Sequence, residues 1–547
     1  MKDFKDASEN TKSILGKLDP LTVFALQALP PKIRAVNENP STDADIKTEE
    51  VDLGWKKNGK QFDAWKRDST KAVRVQLAPK FTIQMYPSDE FFGRLSWIDI
   101  QTRGIMSNGF IFPLKDKIHY LKSEDECKQL YSDLGLVEGT TLPVSYYNND
   151  FEMLSDEGFS RMFFHYIAAP LIAAQKPNDP AVRRDLGPIV TDMPLQNFKV
   201  RKAFRPLGAR VHFGEDQVVT AIFDYHKDKM YKPGDAGWDE AKLLAKNTAF
   251  ILVTVREHLI WSHMVLANST TTLSILELKP SHPLRRLLTV FTFRTTYVNS
   301  LALETLLKEN GILHRSVGLT YKAIQDLWEN AYETCNIYQP FPDHEIAPEI
   351  QKLVDEDKFP YVSDGNAFWK IVQNFVRNWV AAAGDDMLDE EAMSFYNKMK
   401  ESSKDQAYVI PDYASSEDMI NLITQCIFTV TAYHEIVGGL ADIITFPTRA
   451  GSRLAAADGG SGDRFDTQNL LLQALMGSTT SMRMPPLMSK FENFFGASGA
   501  PSWEKGVWDK FITELEAQSK KVKEANVKRR FPFSSFDPEV FECSLSV

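Results

Sequence analysis

The sequence predicts a mainly α-helical fold with few strands. Apolar residues recur at helical spacing through long stretches after residue 150, and strand-like stretches are few and short. A chain of 547 residues would by default divide into about three or four domains, although a helical enzyme can bury a single very large core.

Taken in order, residues 1 to about 75 are charged, rich in Asn, Lys and Asp, and interrupted by Leu29-Pro30-Pro31-Lys32. They read as an arm of short helices and loops. AVRVQLA (72–78) and ARVHFGEDQVVTAIFDY (209–225) read as strands, the second a hairpin turning at Gly214-Glu215-Asp216. Helical periodicity is clear in the segments 153–174, 239–268, 282–311 and 367–384. The loop TFPTRAGSRLAAADGGSGDRFD (445–466) has the composition of a flexible connection.

Composition narrows the function. The net charge of −10 leaves no broad basic face for a phosphate backbone, so nucleic acid is not expected as a partner. Cys127, Cys335, Cys426 and Cys543 are far apart and form no CxxC pair, which argues against a zinc ribbon or a disulfide scaffold. The N-terminal residues lack the apolar core of a signal peptide, and a cytoplasmic protein is expected. The longest apolar stretch, 421–446, contains Gln425, His434, Glu435 and Asp442, so it reads as a buried helix and not as a membrane span.

Candidate metal ligands are His258 and His263 in REHLIWSHMVLAN, His434 in TAYHEIVGG, and the terminal carboxylate of Val547. Imidazoles with one carboxylate suit a redox-active first-row metal better than a structural zinc. Five residues at about 100° each leave the second ring roughly 140° around an ideal helix from the first, too far for one ion. A π-bulge would align positions i and i+5. An isolated pair at this spacing otherwise reads as two separate core histidines, and no Glu follows His258 as a zincin motif requires.

The surrounding residues resemble lipoxygenases, non-heme iron dioxygenases of polyunsaturated fatty acids. His258 and His263 fit that family's HxxxxH, followed by His282-Pro283-Leu284, Leu287-Leu288, Asn299, Ala302, Glu304, Leu306 and Gly311. YVSDGNAFWKIVQNFVRNWV (361–380), LITQCIFTVTAYHEIVGG (422–439), TTSMRMPPLM (479–488) and FPFSSFDPEVFECSLSV (531–547) resemble later motifs in the same order. The resemblance, over about residues 150–547, implies one large helical catalytic domain with a π-bulged ligand helix. We place its start at residue 76, after an arm of residues 1–75 and without the family's N-terminal β-sandwich.

The resemblance further implies that His258, His263, His434 and Val547 hold iron, with manganese as the alternative. Five-residue spacing favours iron, since the family's manganese members more often have four. The metal-bound hydroxide would take a hydrogen from a doubly allylic carbon, and O2 would add to give a hydroperoxide. Leu259 and Leu306 would contact the pentadiene, and oxygen steering would fall near Ser316 or Gly318. His282 matches a family position that is not a ligand. His165, His212, His226, His314 and His344 have no partner at ligand spacing and read as surface or satisfied core residues.

Several letters depart from the family pattern. Gly438 stands four residues after His434, where the family usually has Asn, His or Ser, so the fourth side-chain ligand is missing. Met162 and Tyr166 replace the usual Gln and Gly, and Leu303 an Arg beside the clamp. These changes leave open a lipoxygenase-like oxidase, dehydrogenase or isomerase acting on a polyene specialised metabolite. A lipid carrier without catalysis is the reading from a different class. Arg449 and Arg453 are candidates for holding a carboxylate head group. Oligomeric state is not readable.

Overall fold

The computed structural model describes residues 72–85, 155–174, 180–202, 204–341, 346–439, 484–497 and 499–545, together with positions 9, 12, 120–121, 129, 132–133, 452–454, 456 and 465–466. Most of the expected N-terminal arm therefore lies outside the described residues. The described part is mainly helical, as predicted, around a continuous apolar core.

Strands β1 (Val73–Ala78) and β2 (Phe81–Met85) form an antiparallel hairpin. The expected boundary at residue 75 thus falls inside β1. β2 shows the alternation of a half-buried strand, with Phe81, Ile83 and Met85 inward. Phe81 stacks on Tyr332 at 4.7 Å, which seats the hairpin on the helical body.

The predicted hairpin at 209–225 is present but is only half of its sheet. The antiparallel order is β3 (Ile189–Met193), β4 (Ala209–Phe213), β5 (Val219–Asp224) and β6 (Lys229–Tyr231). The two outer strands went unpredicted because each is short, and β6 carries little alternation. Helix α1 (Asp156–Phe164) starts at Ser155, whose hydroxyl accepts from the Gly158 amide at 3.0 Å, and Phe159, Phe163 and Phe164 pack their rings around Phe213 of β4.

The central element is α2, one continuous helix from Trp238 to Glu277. It is α-helical over Trp238–Leu252, π-helical over Val253–Ala267 and α-helical again over Asn268–Glu277. By length and composition it could cross a membrane, yet it is mostly buried inside the protein. It is a core helix whose apolar residues pack against both the four-stranded sheet and other helices.

The further helices are α3 (Pro283–Phe291), α4 (Thr295–Thr305), α5 (Ile312–Ser316), α6 (Tyr321–Glu333), α7 (Pro348–Asp355), α8 (Pro360–Ala383), α9 (Glu390–Ser403), α10 (Ser416–Phe428) and α11 (Ser502–Asn526), of which α3, α4, α6 and α9 pack on α2, and α7, α10 and α11 on α8. Most start with recognisable signals: Pro at the first turn of α3, α7 and α8, and a Ser415/Asp418 capping box at α10. α10 runs on as a π segment, Thr429–Tyr433, and a last α-turn, His434–Gly438.

The Asp364-Gly365 pair in α8 has a packing role. Asp364 accepts two hydrogen bonds from Arg529, at 2.7 and 2.8 Å, and a Cβ at Gly365 would come within 2.7 Å of the Phe341 ring. The following tail threads inward: Cys543 donates to the Pro485 carbonyl at 2.9 Å, Ser544 to the Phe293 carbonyl at 2.8 Å, and Leu545 is fully buried.

Candidate metal centre

The five-residue spacing of His258 and His263 places both inside the π segment of α2. Local side chains support the wider turn: the Ser262 hydroxyl donates to the carbonyl of Glu257, five residues back, at 2.7 Å. Thr254 and Thr431 each bond the carbonyl four residues earlier, Phe250 at 2.6 Å and Ile427 at 2.7 Å, a pattern that bends helices. His434 follows directly on the second π segment.

The Nε2 atoms of the three histidines face one another, His258–His434 at 3.0 Å, His263–His434 at 3.1 Å and His258–His263 at 3.2 Å. All three residues are buried. A triangle of that edge puts each nitrogen about 1.8 Å from its centre, close to a first-row metal–imidazole bond of about 2.1 Å. Burial pushes the His263 pKa down to about 4, while its hydrogen bond with Asn299 raises it. Burial, then the neighbouring imidazoles, holds His258 and His434 well below the ordinary histidine range. The rings are neutral and keep a lone pair free, which is the state a metal needs. Three lone pairs converging in a dry interior form a donor set that fits a cation.

Asn299, on α4, fixes the His263 ring. Its Oδ1 lies 3.0 Å from His263 Nδ1, and its Nδ2 donates to the His263 carbonyl at 3.1 Å. With the proton on Nδ1, the Nε2 lone pair points into the triangle. His258 Nδ1 is buried without a hydrogen-bond partner among the described residues.

Gly438 borders the same space. A Cβ there would lie 3.3 Å from His434 Cε1, 3.5 Å from His434 Nε2 and 3.6 Å from His258 Nε2. A longer side chain at this position would point among the ligand nitrogens. Next to it the Tyr166 hydroxyl donates to the Gly439 carbonyl at 2.5 Å, so Tyr166 fills the space beside the two glycines.

Other predicted residues fall elsewhere. Leu259 is buried beside His258, and Leu306 is half-buried against the core at the end of α4. Ser316 and Gly318 contact a different cluster: the Ser316 carbonyl accepts from Ser452 at 2.8 Å, and a Cβ at Gly318 would meet Phe204 at 3.0 Å. Arg453 is buried, donates to the Arg315 carbonyl and lies 4.9 Å from the Phe204 ring centre. It is neither a surface arginine nor a free head-group clamp. Val547, Arg449 and His344 lie outside the described residues.

His282 caps α3, its Nδ1 accepting from the Leu284 amide at 3.0 Å and its Nε2 3.0 Å from Asp389. His314 accepts from the Asn310 amide at 3.1 Å and His226 is exposed. His212 departs from a satisfied core residue: it is fully buried in β4 and neither ring nitrogen has a partner among the described residues. Cys335, Cys426 and Cys543 are buried and form no disulfide among the described residues.

Sequence reasoning missed Glu257 and Tyr433. The Tyr433 hydroxyl donates to Glu257, and Arg256 donates to the same carboxylate at 2.7 Å. Burial, then Glu257, raises the Tyr433 pKa well above the ordinary tyrosine range, so it stays a donor. The available signal was positional: each residue immediately precedes a histidine of the triad.

The family model described as Lipoxygenase matches residues 227–438. A polyunsaturated fatty acid (12S)/(13S)-lipoxygenase, epidermal-type, of Rattus norvegicus is 24% identical over 342 residues, 58% of this chain and 50% of that protein. The chain thus spans about half the length of the curated relatives it matches. Among solved structures, a coral 8R-lipoxygenase superposes with a TM-score of 0.69 at 15% identity, covering 87% of this chain and 79% of that one. A lipoxygenase from Fusarium graminearum gives 0.63 at 14% identity over 83% and 90%. At such identities the structural likeness concerns the fold.

Proposed function

The chain belongs to the lipoxygenase family, and on that premise we propose that it is a non-heme metal dioxygenase that inserts O2 into a cis,cis-pentadiene of a polyunsaturated fatty acid to give a hydroperoxide. The observation that carries this reading is the convergence of three neutral Nε2 atoms within 3.2 Å of one another. Their chemistry fits iron, with manganese as the alternative. When bound, such an ion supplies the one-electron oxidation that, coupled to proton transfer, takes a hydrogen from a doubly allylic carbon.

The chain's own residues do the rest. His258, His263 and His434 hold the ion, and Asn299 keeps the His263 lone pair inward. Leu259 and Leu306 are proposed to contact the pentadiene, and Ser316 or Gly318 to bound the oxygen path. The buried setting excludes water from the radical. The Val547 carboxylate enters as a proposed anionic donor with its own test: one residue appended after it lowers metal occupancy if the assignment holds.

Gly438 favours a second reading at the same site, an oxidase, dehydrogenase or isomerase acting on another polyene. A glycine there leaves the space among the ligand nitrogens without a side-chain donor. Metal analysis and oxygen uptake on linoleate and arachidonate separate the two. Iron-loaded protein that consumes O2 and forms conjugated dienes supports the dioxygenase; loaded protein inert on both acids sinks it. Purified protein that takes up neither iron nor manganese would leave only the carrier.

A further inference from the structure

The two π segments touch twice. On the inner side His258 and His434 present Nε2 atoms 3.0 Å apart. One residue earlier on each helix, side chains leave the axis on the adjoining flank and meet there, where the Tyr433 hydroxyl donates to Glu257. Glu257 is only 2% exposed, so its carboxylate depends on protein partners. Arg256 supplies the other, donating to it at 2.7 Å. The Arg256 guanidinium lies 5.0 Å from the centre of the Trp261 ring, and Trp261 donates from Nε1 to the Ala331 carbonyl of α6 at 2.6 Å. The contact between the ligand helices is therefore held from a third helix.

We propose that Glu257 and Tyr433 are positioning residues, a clamp that sets the His258 helix and the His434 helix at metal-binding separation before an ion arrives. Neither residue belongs to the cluster of converging donors, which is His258, His263 and His434. Among the described residues His258 has no partner on Nδ1 to orient its ring, unlike His263 with Asn299. The backbone next to His258 must therefore carry the alignment, and Glu257 anchors that backbone.

The clamp rests on the reading of the triad as a metal site, and metal affinity measured without substrate keeps the two separable. In Fe(II) and Mn(II) competition titrations against a chelator, Tyr433→Phe should bind about 10–100-fold more weakly than wild type. Its metal-free circular dichroism should stay that of the folded protein, although the lost bond to the buried carboxylate lowers stability. Glu257→Gln, which keeps an acceptor for Tyr433 but drops the charge, should fall in between. The double variant should be no worse than the weaker single, because both remove one interaction. Thr424→Val, on the same helix but before its π segment, where the hydroxyl bonds the Ile420 carbonyl at 2.7 Å, should leave affinity unchanged. Affinity within about twofold of wild type in both Tyr433→Phe and Glu257→Gln, or an equal loss in Thr424→Val, overturns the clamp. Should Tyr433→Phe fail to fold, Glu257→Gln decides alone. Wild-type protein that binds neither metal refutes the site reading and takes the clamp with it.

Discussion

The two π segments differ in length and in task. Val253–Ala267 spans fifteen residues and carries two histidines five apart; Thr429–Tyr433 spans five and ends just before one. The first must keep a wide turn across the whole interval between its ligands, because an α-turn would swing His263 away from His258. The second needs only to re-aim the helix end that bears His434. The amount of helical distortion thus follows the number of donors each helix must align, and the unusual length of the first is explained by its pair.

Removing donors breaks this comparison most severely. His258→Ala or His434→Ala should leave less than about a tenth of an equivalent of iron or manganese by elemental analysis, since either loss opens the triangle. Metal retained in His434→Ala would mean that the long segment binds alone. A smaller effect is expected from Asn299→Ala, which frees the His263 ring: affinity should fall about 10–100-fold, with the metal-free fold intact by circular dichroism.

Proton linkage sharpens the comparison further. Folded-state histidines whose pKa lies below the ordinary 6.5 resist protonation, so the unfolded chain takes up protons first as pH falls. Stability of the metal-free protein should therefore drop as pH falls from about 6.5 towards about 4, the position of His263, His212 and His314, and keep falling below it because His258 and His434 are held lower still. Melting temperatures across that range check the sign. A metal-free protein equally stable at both ends would mean that these rings are not held neutral by burial.

The smallest expected change is at Gly438. Gly438→Ala puts a methyl group 3.3 Å from His434 Cε1, a contact relieved by a shift of a few tenths of an ångström. It should cost under about 1 kcal/mol in denaturant melts, because Ala also favours a helix end over Gly. Gly438→Asn, which reaches further among the nitrogens, should change the electronic spectrum of the bound metal. An unchanged spectrum would show that position 438 lies outside ligand reach.

Much of this arrangement was legible in the letters. The five-residue spacing of His258 and His263 implied a π-type turn on helical geometry alone, and the surrounding motifs tied His434 to the pair. The hairpin at 209–225 was readable from its alternation and its Gly-Glu-Asp turn. The Glu257–Tyr433 bond was not, because the partners are 176 residues apart and a Glu beside a helical His carries no pattern of its own. The contacts of Ser316 and Gly318 with Ser452 and Phe204 were equally hidden. They depend on how three separated loops pack, which no local periodicity encodes.

The fifteen-residue π segment also bears on how such a chain can change through descent. Loss of one residue between His258 and His263 would leave four-residue spacing, which an ordinary α-turn already aligns on one face. The wide turn would then have no ligand pair to serve, and everything from Met264 to Glu277 would rotate against its neighbours. Asn299 would face a different side chain, and the core packed along that stretch would need rebuilding at once. A single-codon deletion here is therefore a change of architecture, and the interval Leu259–Ser262 should tolerate substitution far more readily than any change in length.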